Sequence, residues 1–373
     1  MKAFVTAVAL ATGLCASIAA VEARELRLAP GGPPTHPAHT PLYSTLAEEL
    51  PKETDGALTG TILGTEVVNI GGMKGALQSS VAEVGNVLPL YYPGDLPNSA
   101  LVGDLAFLGR DPHVMGAAMT EYVATCDECQ AEFARMGGVF AGAGSSDVYV
   151  LLTTVPVRNK ADLQALRLRS GGAPFARWAE YVGAVPANVP VSDTFETMSQ
   201  GVIDGTMGSV SDLTAYRLVD LARYVVELPL GTYHATSNFT VNTDTWRSLS
   251  AQERRGFMRA ANKANVAFTQ NWGFERPDEA RQAAREAGLE FIEPDEELVE
   301  LTEAFVEDDL EAAVGIAESQ YGIADAEAKI SRFQELVEKW TGIVEDAGHD
   351  PAAIAAAIQA DVWDKIDYES YGM

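Results

Sequence analysis

Short hydrophobic runs alternate with amphipathic stretches over the first two-thirds of the chain, and a helical pattern takes over afterwards. The runs predict strands at Glu25–Ala29, Leu58–Leu63, Glu83–Leu88, Val139–Ala143, Val148–Thr154, Leu166–Ser170, Val225–Leu230 and Phe239–Asn242. From Leu249 onward the pattern predicts helices almost throughout, with one strand near Leu289–Ile292. Strands that alternate with helices are typical of an α/β protein with mainly parallel sheets, because parallel neighbours need a long crossover between them.

Two Ala- and Glu-rich patterns, Ser250–Ala287 and Glu296–Tyr321, predict long helices in the last third of the chain. A helix rises about 1.5 Å per residue, so each of these would extend beyond one small sheet. We therefore expect the long helices to span or clasp two lobes.

A weak internal sequence repeat also favours two related lobes. Leu77–Glu83 and Met198–Asp204 both have the pattern of a helix end, a turn and an acidic residue that opens a strand. A stretch with Gly, Ser or Tyr residues follows each of them, Tyr91–Gly94 in the first and Gly208–Tyr216 in the second. Ligands of open α/β sheets lie beyond the carboxyl ends of the strands. We expect these two stretches to face each other across a cleft.

The first residues have the pattern of a secretory signal. A lysine at position 2 is followed by the apolar stretch Phe4–Ala20, and Val21–Ala23 resembles a cleavage site. We expect residues 1–23 to be removed on export. This leaves 373 − 23 = 350 residues from Arg24 onward, enough for two lobes in the periplasm.

The charge balance narrows the possible partners. The chain has 26 basic and 53 acidic residues, a net charge of −27, and the signal segment contributes only Lys2 and Glu22, which cancel. Nucleic acids and anionic membranes both attract a positive field, so we expect neither as a partner. Leu14, directly before Cys15, is not one of the small residues that lipidation would need, and no later segment is long and apolar enough to span a bilayer. We expect no membrane anchor.

Cys126 and Cys129 are the two cysteines that remain after export. They lie on a helical pattern that opens at Asp111-Pro112, with an aspartate cap and a proline in the first turn. The spacing of three residues suits either two small buried side chains or a local disulfide, which an oxidising compartment favours. Both alternatives stay open at this point, and a redox-active dithiol is not expected.

Other motifs bear on catalytic or cofactor chemistry. His36 and His39 have a spacing that suits metal ligands, but no Cys, His or carboxylate cluster accompanies them. A histidine or a backbone amide that faces the cleft from a helix N-terminus is the alternative. Gly142-Ala143-Gly144 lacks the third glycine of a dinucleotide fingerprint, and the Gly-x-Ser-x-Gly pattern of many hydrolases is absent from the sequence. We expect no metal, no cofactor and no catalysis.

The most informative short stretch is Leu166–Pro186, which places Arg167 and Arg169 on one face of a predicted strand. Arg169 stands at the strand end beside Gly171-Gly172, where a ligand could approach closely. A guanidinium there can bind a carboxylate through two parallel hydrogen bonds, or it can form an ordinary salt bridge. Trp178, Tyr149, Tyr216 and Tyr233 are candidates for the apolar walls of such a pocket.

Several motifs together resemble a known family. They are Asp162–Arg169, then Gly183–Pro186, then Gln200–Gly205, and finally Val241-Asn242 with Trp246–Leu249. In this arrangement the chain resembles the solute-binding proteins of tripartite ATP-independent periplasmic (TRAP) transporters, of the C4-dicarboxylate-binding type. The resemblance covers most of the chain after the signal segment, and its central block is the most specific part.

This resemblance implies a fold and a division of the chain. The fold would be an α/β, two-lobed periplasmic binding protein (class II-like), with long helices bridging the lobes and a helical C-terminal extension. Lobe I would comprise residues 24–147 with part of 236–290, and lobe II residues 148–235 with part of 291–345. The C-terminal extension would comprise residues 346–373.

The resemblance also implies a function. Such proteins capture a small organic acid between two lobes, close over it, and deliver it to TRAP membrane subunits that an ion gradient drives. Arg169 would clamp the carboxylate of the ligand. The other expected ligand-binding residues are Gly32, Tyr92, Tyr149, Trp178, Gly208, Ser209 and Tyr233. The alternatives are the binding protein of an ATP-driven uptake system and, less favoured, a secreted hydrolase.

Two departures from the family pattern bear on the ligand. Many members follow the Asp-Gly pair with Glu-Asn-Pro, whereas this chain has Thr206–Ser209. An arginine often found before the clamp strand is replaced by residues around Asp147–Tyr149. These changes favour a monocarboxylate with an apolar or aromatic body over a dicarboxylate or a sialic acid.

Overall fold

The computed structural model describes residues 23–373 and shows an α/β architecture with two separate sheets. The predicted signal segment at residues 1–23 lies outside the described residues, apart from Ala23. The strands of residues 23–373 are β1 Arg24–Ala29, β2 Leu58–Ile62, β3 Val84–Val87, β4 Gly138–Phe140, β5 Val150–Thr153, β6 Arg167–Ser170, β7 Val185–Asn188, β8 Gly205–Gly208, β9 Tyr224–Val226, β10 Ser237–Asn242 and β11 Glu290–Ile292.

Each sheet takes strands from distant parts of the chain. The first sheet has the order β2-β1-β3-β10-β4, and the second has the order β11-β9-β5-β8-β6-β7. The predicted strands are confirmed, although β4 and β9 are shorter than their patterns. The sequence pattern missed β7, which contains Pro186, and it indicated β8, which begins and ends with glycine, only as the strand that Asp204 opens. Proline and glycine both weaken a strand pattern.

The strands are mainly parallel, as predicted, but each sheet contains one strand that runs against its neighbours. β10 runs antiparallel to β3 and β4 in the first sheet, and β5 runs antiparallel to β8 and β9 in the second. β5 and β10 are the strands that the chain reaches when it passes from one sheet to the other without an intervening helix. A strand that starts at the cleft runs opposite to neighbours that end there.

The helices of the described residues cover the faces of both sheets. They are α1 Ser44–Glu53, α2 Met73–Gln78, α3 Pro97–Gly103, α4 Pro112–Ala124, α5 Asp127–Met136, α6 Ala173–Tyr181, α7 Thr194–Ser199, α8 Asp212–Ala215, α9 Thr243–Ser248, α10 Ala251–Gln270, α11 Arg276–Glu286, α12 Glu296–Tyr321, α13 Ala326–Asp346 and α14 Pro351–Asp361. The helix–turn–strand pattern of the internal sequence repeat is confirmed. α2 leads through a turn into β3, and α7 leads through a turn into β8.

The long helices join the two halves of the molecule, as predicted. α10 packs on α1 beside the first sheet and continues through a π-helical turn, Asn271–Glu275, into α11, which packs on α8 beside the second. α12 packs on α3 and α6. Arg177 of α6 forms a largely buried ion pair with Asp309 of α12, with N–O distances of 2.5 and 2.9 Å. Such a pair fixes the position of α12 against the second half.

The last helices pack on the first half of the molecule. α13 lies on α4, and α14 lies on α10. Trp246 donates its indole N–H to the carbonyl of Tyr371 at 2.7 Å, and the Tyr371 hydroxyl donates to the carbonyl of Phe140 at 2.9 Å. The C-terminal residues therefore complete the core around the first sheet.

Two of the chain crossings between the sheets, those without a helix, lie side by side. Val148 and Thr232 form an antiparallel bridge, and the Tyr149 amide donates to the Gly231 carbonyl at 2.7 Å. Ser146 is buried at the same place, where its hydroxyl donates to the Asp147 carbonyl at 2.6 Å. Two short crossings of this kind are suited to act as a hinge.

The helix predicted from Asp111-Pro112 is interrupted at Thr125, so the cysteines belong to the second of two helices. Cys126 is the N-cap of α5 and accepts a hydrogen bond at its sulfur from the Cys129 amide. The two sulfur atoms lie 2.11 Å apart, at bonding distance. In residues 23–373 no helix is long and apolar enough to cross a bilayer.

Candidate functional site

A buried cleft lies between the two sheets and holds about 520 Å³ of space not filled by protein atoms, part of it open to solvent. Both halves contribute to its wall, and so do α10 and the π-helical turn Asn271–Glu275 that follows it. The residues that line it are Pro30, Gly32, His36, Ala38, Ile70, Asn86, Leu88, Tyr91, Tyr149, Arg169, Val191, Asp212, Tyr216, Tyr233, Thr236, Asn238, Phe268 and Trp272.

Arg169 projects from β6 into this cleft and is only 2% exposed. Its Nε donates to the Val189 carbonyl at 3.1 Å, and its Nη2 donates to the Tyr91 hydroxyl at 2.8 Å. Within the described part of the chain, no carboxylate oxygen lies within 4.0 Å of this guanidinium. A buried charge normally has an ionic partner, so this one is left available for a ligand.

The glycine pair after β6 explains how the wall can close around the guanidinium. A Cβ on Gly171 would lie 3.4 Å from Nη1 of Arg169, which fills the space next to the charged group. Gly172 has a φ of +157° and approaches Leu90 of the first half so closely that a Cβ would lie 2.9 Å from it. The pair therefore permits a close contact between the two halves beside Arg169.

Tyr91 connects the halves at the mouth of the cleft. It follows β3 of the first sheet, and its hydroxyl accepts from Nη2 of Arg169 and from the amide of Val191 at 3.0 Å. Both donors belong to the second half. The sequence pattern suggested Tyr92 instead, but the Tyr92 hydroxyl donates to the Gly71 carbonyl at 3.1 Å and its ring lies in an outer groove.

His36 lines the opposite wall and is held as a neutral donor. Its Nδ1 accepts from the amide of Ala38 at 3.0 Å, so the ring proton lies on Nε2. Burial, and then the nearby Arg276 charge, lowers the pKa of His36 to about 3. The imidazole ring lies between Tyr216 and Trp272, with centroid distances of 5.3 and 5.7 Å.

Aromatic rings form much of the remaining wall. Tyr149, Phe175 and Tyr233 stack on one another with centroid distances of 5.3 to 6.2 Å. The Tyr233 hydroxyl and the Trp272 indole N–H are buried, and neither has a hydrogen-bond partner within the described residues. Apolar faces with a few unpaired polar atoms suit a small ligand that has an apolar body and polar substituents.

Two buried carboxyl groups lie at or under the wall of the cleft. Asp212, in the first turn of α8, lines it, and burial raises the pKa of this carboxyl to about 7, although Arg169 opposes the rise. Asp147 lies beneath the wall, where burial raises its pKa to about 8, although Ser209 and the charge of Arg281 oppose the rise. Neither position was selected from the sequence as a site residue.

The predicted site residues divide into two groups. Arg169, Gly32, Tyr149 and Tyr233 line the cleft together. The remaining four, Tyr92, Trp178, Gly208 and Ser209, do not line it. The expectation that these four line the cleft is wrong, and each has a different place in the structure.

Packing explains these corrections. Trp178 faces the core from α6, where it stacks near Phe107 and donates its indole N–H to the Thr302 hydroxyl at 3.3 Å. Gly208 lies behind Asp212, since a Cβ on Gly208 would lie 2.8 Å from an Asp212 carboxylate oxygen. Ser209 is fully buried beneath the wall and pairs with the Ser211 hydroxyl at 2.6 Å.

The histidine pair does not assemble a metal centre. His36 faces the cleft, whereas His39 contacts the hydroxyl of its neighbour Thr40 at 3.3 Å. Within residues 23–373, no three His, Cys, Asp or Glu side chains are grouped as metal ligands.

Two lobes linked by crossing strands, with a buried cleft between them, define the class of two-lobed solute-binding proteins. Residues 29–311 match DctP, the bacterial extracellular solute-binding protein family 7. The chain belongs to this family. Its members are binding receptors and not enzymes, which removes the hydrolase alternative.

A curated relative and several solved structures are similar to this chain. The solute-binding protein RD1_1052 of Roseobacter denitrificans is 27% identical over 143 residues, which span 38% of this chain and 42% of that protein. A TRAP periplasmic solute-binding protein from Bordetella bronchiseptica, solved with bound (R)- and (S)-mandelate, is 25% identical with a TM-score of 0.72. That match covers 85% of this chain and 99% of the other.

More distant structures share the fold. A TRAP solute-binding protein from Rhodoferax ferrireducens, in complex with copurified benzoate, is 17% identical with a TM-score of 0.75 and covers 86% of this chain and 99% of the other. DctP7 of Bordetella pertussis, an extracytoplasmic solute receptor binding pyroglutamic acid, is 19% identical with a TM-score of 0.71. It covers 84% of this chain and 100% of the other.

Proposed function

We propose that this protein is the periplasmic receptor of a TRAP transporter and that it captures a small carboxylic acid in the cleft between its lobes. Arg169 binds the carboxylate of the ligand, and the membrane subunits of the transporter then receive the ligand. The signal pattern at residues 1–23 supports export to the periplasm. Membership of the solute-binding family supports the transport role.

The observation that carries this proposal is the environment of Arg169. Its guanidinium is buried, it has no carboxylate partner within 4.0 Å among the described residues, and two of its nitrogens are already fixed by Val189 and Tyr91. Nη1 makes no hydrogen bond within the described residues. A ligand carboxylate in the cleft would neutralise the charge and complete its hydrogen bonds.

The shape and composition of the cleft favour a monocarboxylate with an aromatic or apolar body. Tyr149, Tyr216, Tyr233, Phe268 and Trp272 provide flat apolar surfaces. Among the described residues of the wall, the arginine is the only side chain with a permanent positive charge. A second carboxylate would therefore be buried without a cation to pair with it. The mandelate bound by the Bordetella bronchiseptica protein is an acid of this kind.

A binding experiment with matched arginine variants tests the proposal. A thermal-shift screen of organic acids identifies ligands, because a ligand that binds only the folded state stabilises it. Calorimetry on Arg169→Ala should then show affinity lower by roughly 30-fold to several thousand-fold, the equivalent of about 2–5 kcal/mol for a desolvated charge pair. Arg169→Lys should also bind poorly, since an ammonium group cannot make two parallel bonds.

Arg167→Ala is the control for these variants. Arg167 lies two residues earlier on β6, is exposed, and pairs with Asp204 at 2.6 and 2.9 Å outside the cleft. Its loss should leave affinity within about twofold, because exposed ion pairs contribute little. If Arg169→Ala binds the identified acid as tightly as the parent, the proposed role of Arg169 is wrong.

A further inference from the structure

Asp212 is a polar group of the cleft that the carboxylate-clamp function does not use. It is 4% exposed, and its carboxyl faces the cleft from the first turn of α8. Within residues 23–373, no N–H or O–H group donates a hydrogen bond to this carboxyl. Burial raises its pKa, and the charge of Arg169 lowers it. A buried carboxyl without a donor is unfavourable, so its retention in the wall needs a reason.

Asp212 and Arg169 share the cleft without forming an ion pair. No nitrogen of Arg169 lies within 4.0 Å of a carboxylate oxygen of Asp212. Val189 and Tyr91 hold the guanidinium in place, and Asp212 is seated against Gly208 of β8, where any Cβ would lie 2.8 Å from its Oδ2. The two charged groups are therefore fixed apart, with the ligand space between them.

Asp212 is also the strongest acceptor in the wall. It is the only acidic side chain among the lining residues that the structure describes. The carbonyl oxygens of Asn86 and Asn238 are buried without a donor from this part of the chain as well, but an amide is a weaker acceptor than a carboxylate. A ligand that fills the cleft meets a cationic donor at one end and a carboxyl acceptor elsewhere.

We propose that Asp212 selects the ligand by accepting a hydrogen bond from a second group on it, so that the transported acid bears a hydroxyl or a protonated amine besides the carboxylate that Arg169 binds. This inference rests on the proposed function and names the substrate class. Simple acids without such a donor leave the Asp212 carboxyl desolvated and unpaired, and they bind more weakly for that reason. Hydroxy acids and amino acids of similar shape satisfy both ends of the cleft.

Pairs of acids that differ by a single donor test this inference. The pairs are mandelate with phenylacetate, phenylglycine with phenylacetate, 3-hydroxybenzoate with benzoate, and lactate with propionate. Calorimetry on the parent protein should show at least one donor-bearing acid binding about tenfold or more tightly than its partner, because a buried polar group discriminates against a ligand that cannot pair with it. Mandelate and phenylglycine show whether the donor is a hydroxyl or an ammonium.

Two variants assign the preference to Asp212. In Asp212→Ala the ratio of the two affinities within the preferred pair should fall to about twofold or less. The acid without the donor should bind this variant as tightly as it binds the parent, or more tightly. Gly208→Ala should reduce the ratio in the same direction, since its methyl group displaces the Asp212 carboxyl. A merely structural role for Asp212 would weaken both members of the pair equally.

The outcomes separate this inference from the function on which it rests. Equal affinities within every pair, or a ratio that survives Asp212→Ala, would overturn the selection by Asp212 while Arg169-dependent binding still stands. If none of the acids binds the parent, or binding is unchanged in Arg169→Ala, the proposed function itself is lost. Cooperative unfolding of each variant shows that it is folded, so that a loss of the affinity difference within a pair is not caused by a loss of structure.

Discussion

Replacing Asp212 by asparagine should stabilise the unliganded protein at neutral and alkaline pH. Burial raises the pKa of the Asp212 carboxyl from 3.8 to about 7 in the folded protein. Above pH 7 the folded protein must therefore hold an ionised carboxyl that is more stable in the unfolded chain. At about 1.4 kcal/mol for each pH unit, this lowers the free energy of unfolding by at most about 4 kcal/mol.

The sign of the pH dependence follows from proton binding. Between about pH 4 and pH 7 the folded state keeps the Asp212 proton and the unfolded state loses it. The free energy of unfolding of the parent therefore falls through this window and is constant with respect to this group above it. The asparagine side chain of the variant does not titrate, so the parent-minus-variant difference isolates the contribution of Asp212.

Urea unfolding of the parent and of Asp212→Asn at pH 4, 5.5, 7 and 8 measures this difference. Asp147, whose pKa is raised to about 8, is present in both proteins and cancels. Asp346→Asn is the control, because Asp346 is exposed at the end of α13. A parent-minus-variant difference that does not change across the window would refute the assignment of a buried, unpaired carboxyl.

Three further outcomes are expected. Tyr91→Phe removes the hydroxyl that accepts hydrogen bonds from Arg169 and Val191, so ligand affinity should fall by roughly 5- to 30-fold. Small-angle scattering of the free variant should also show a more expanded particle. An unchanged scattering curve and an unchanged affinity would count against a link between the lobes through Tyr91. Saturating ligand should compact the parent in the same measurement, because a ligand closes the lobes only through contacts that are better in the closed form. Intact mass of exported protein should begin at or near Arg24, and retention of residues 1–23 would contradict the signal assignment.

Local patterns in the sequence were sufficient for most secondary structure and for the selection of Arg169, which lines the cleft. Short hydrophobic runs identified the strands, and β7 was missed because Pro186 interrupts its pattern. Arg169 could be selected because a strand end, a neighbouring glycine pair and a long cation lie within a few residues of one another. The helix α12 was predicted at Glu296–Tyr321, the bounds that the structure shows, because its amphipathic pattern is long and has clear ends.

Other residues of the cleft could not be found in this way. Tyr91 and Tyr92 are adjacent, and only the short turn Pro89–Tyr91 determines which ring reaches Arg169. Trp178 lies on the helix that follows Arg169, but the buried face of α6 turns it into the core. A single sequence contains no signal that separates an aromatic wall of a cleft from an aromatic core residue, because both are apolar and buried.

The amino-acid sequence alone was enough to predict most strands and helices and the α/β architecture that their alternation requires. It also determined the excess of acidic groups and the position of an arginine at a strand end. The direction of β5 and β10, and the meeting of His36, Asp212 and Trp272 with Arg169, emerged only from the packed fold. Strand and helix formation depends on neighbours a few residues apart, whereas these contacts join segments that are far apart along the chain. Their geometry depends on how two sheets and a bridging helix pack, and that packing is set by the whole core at once.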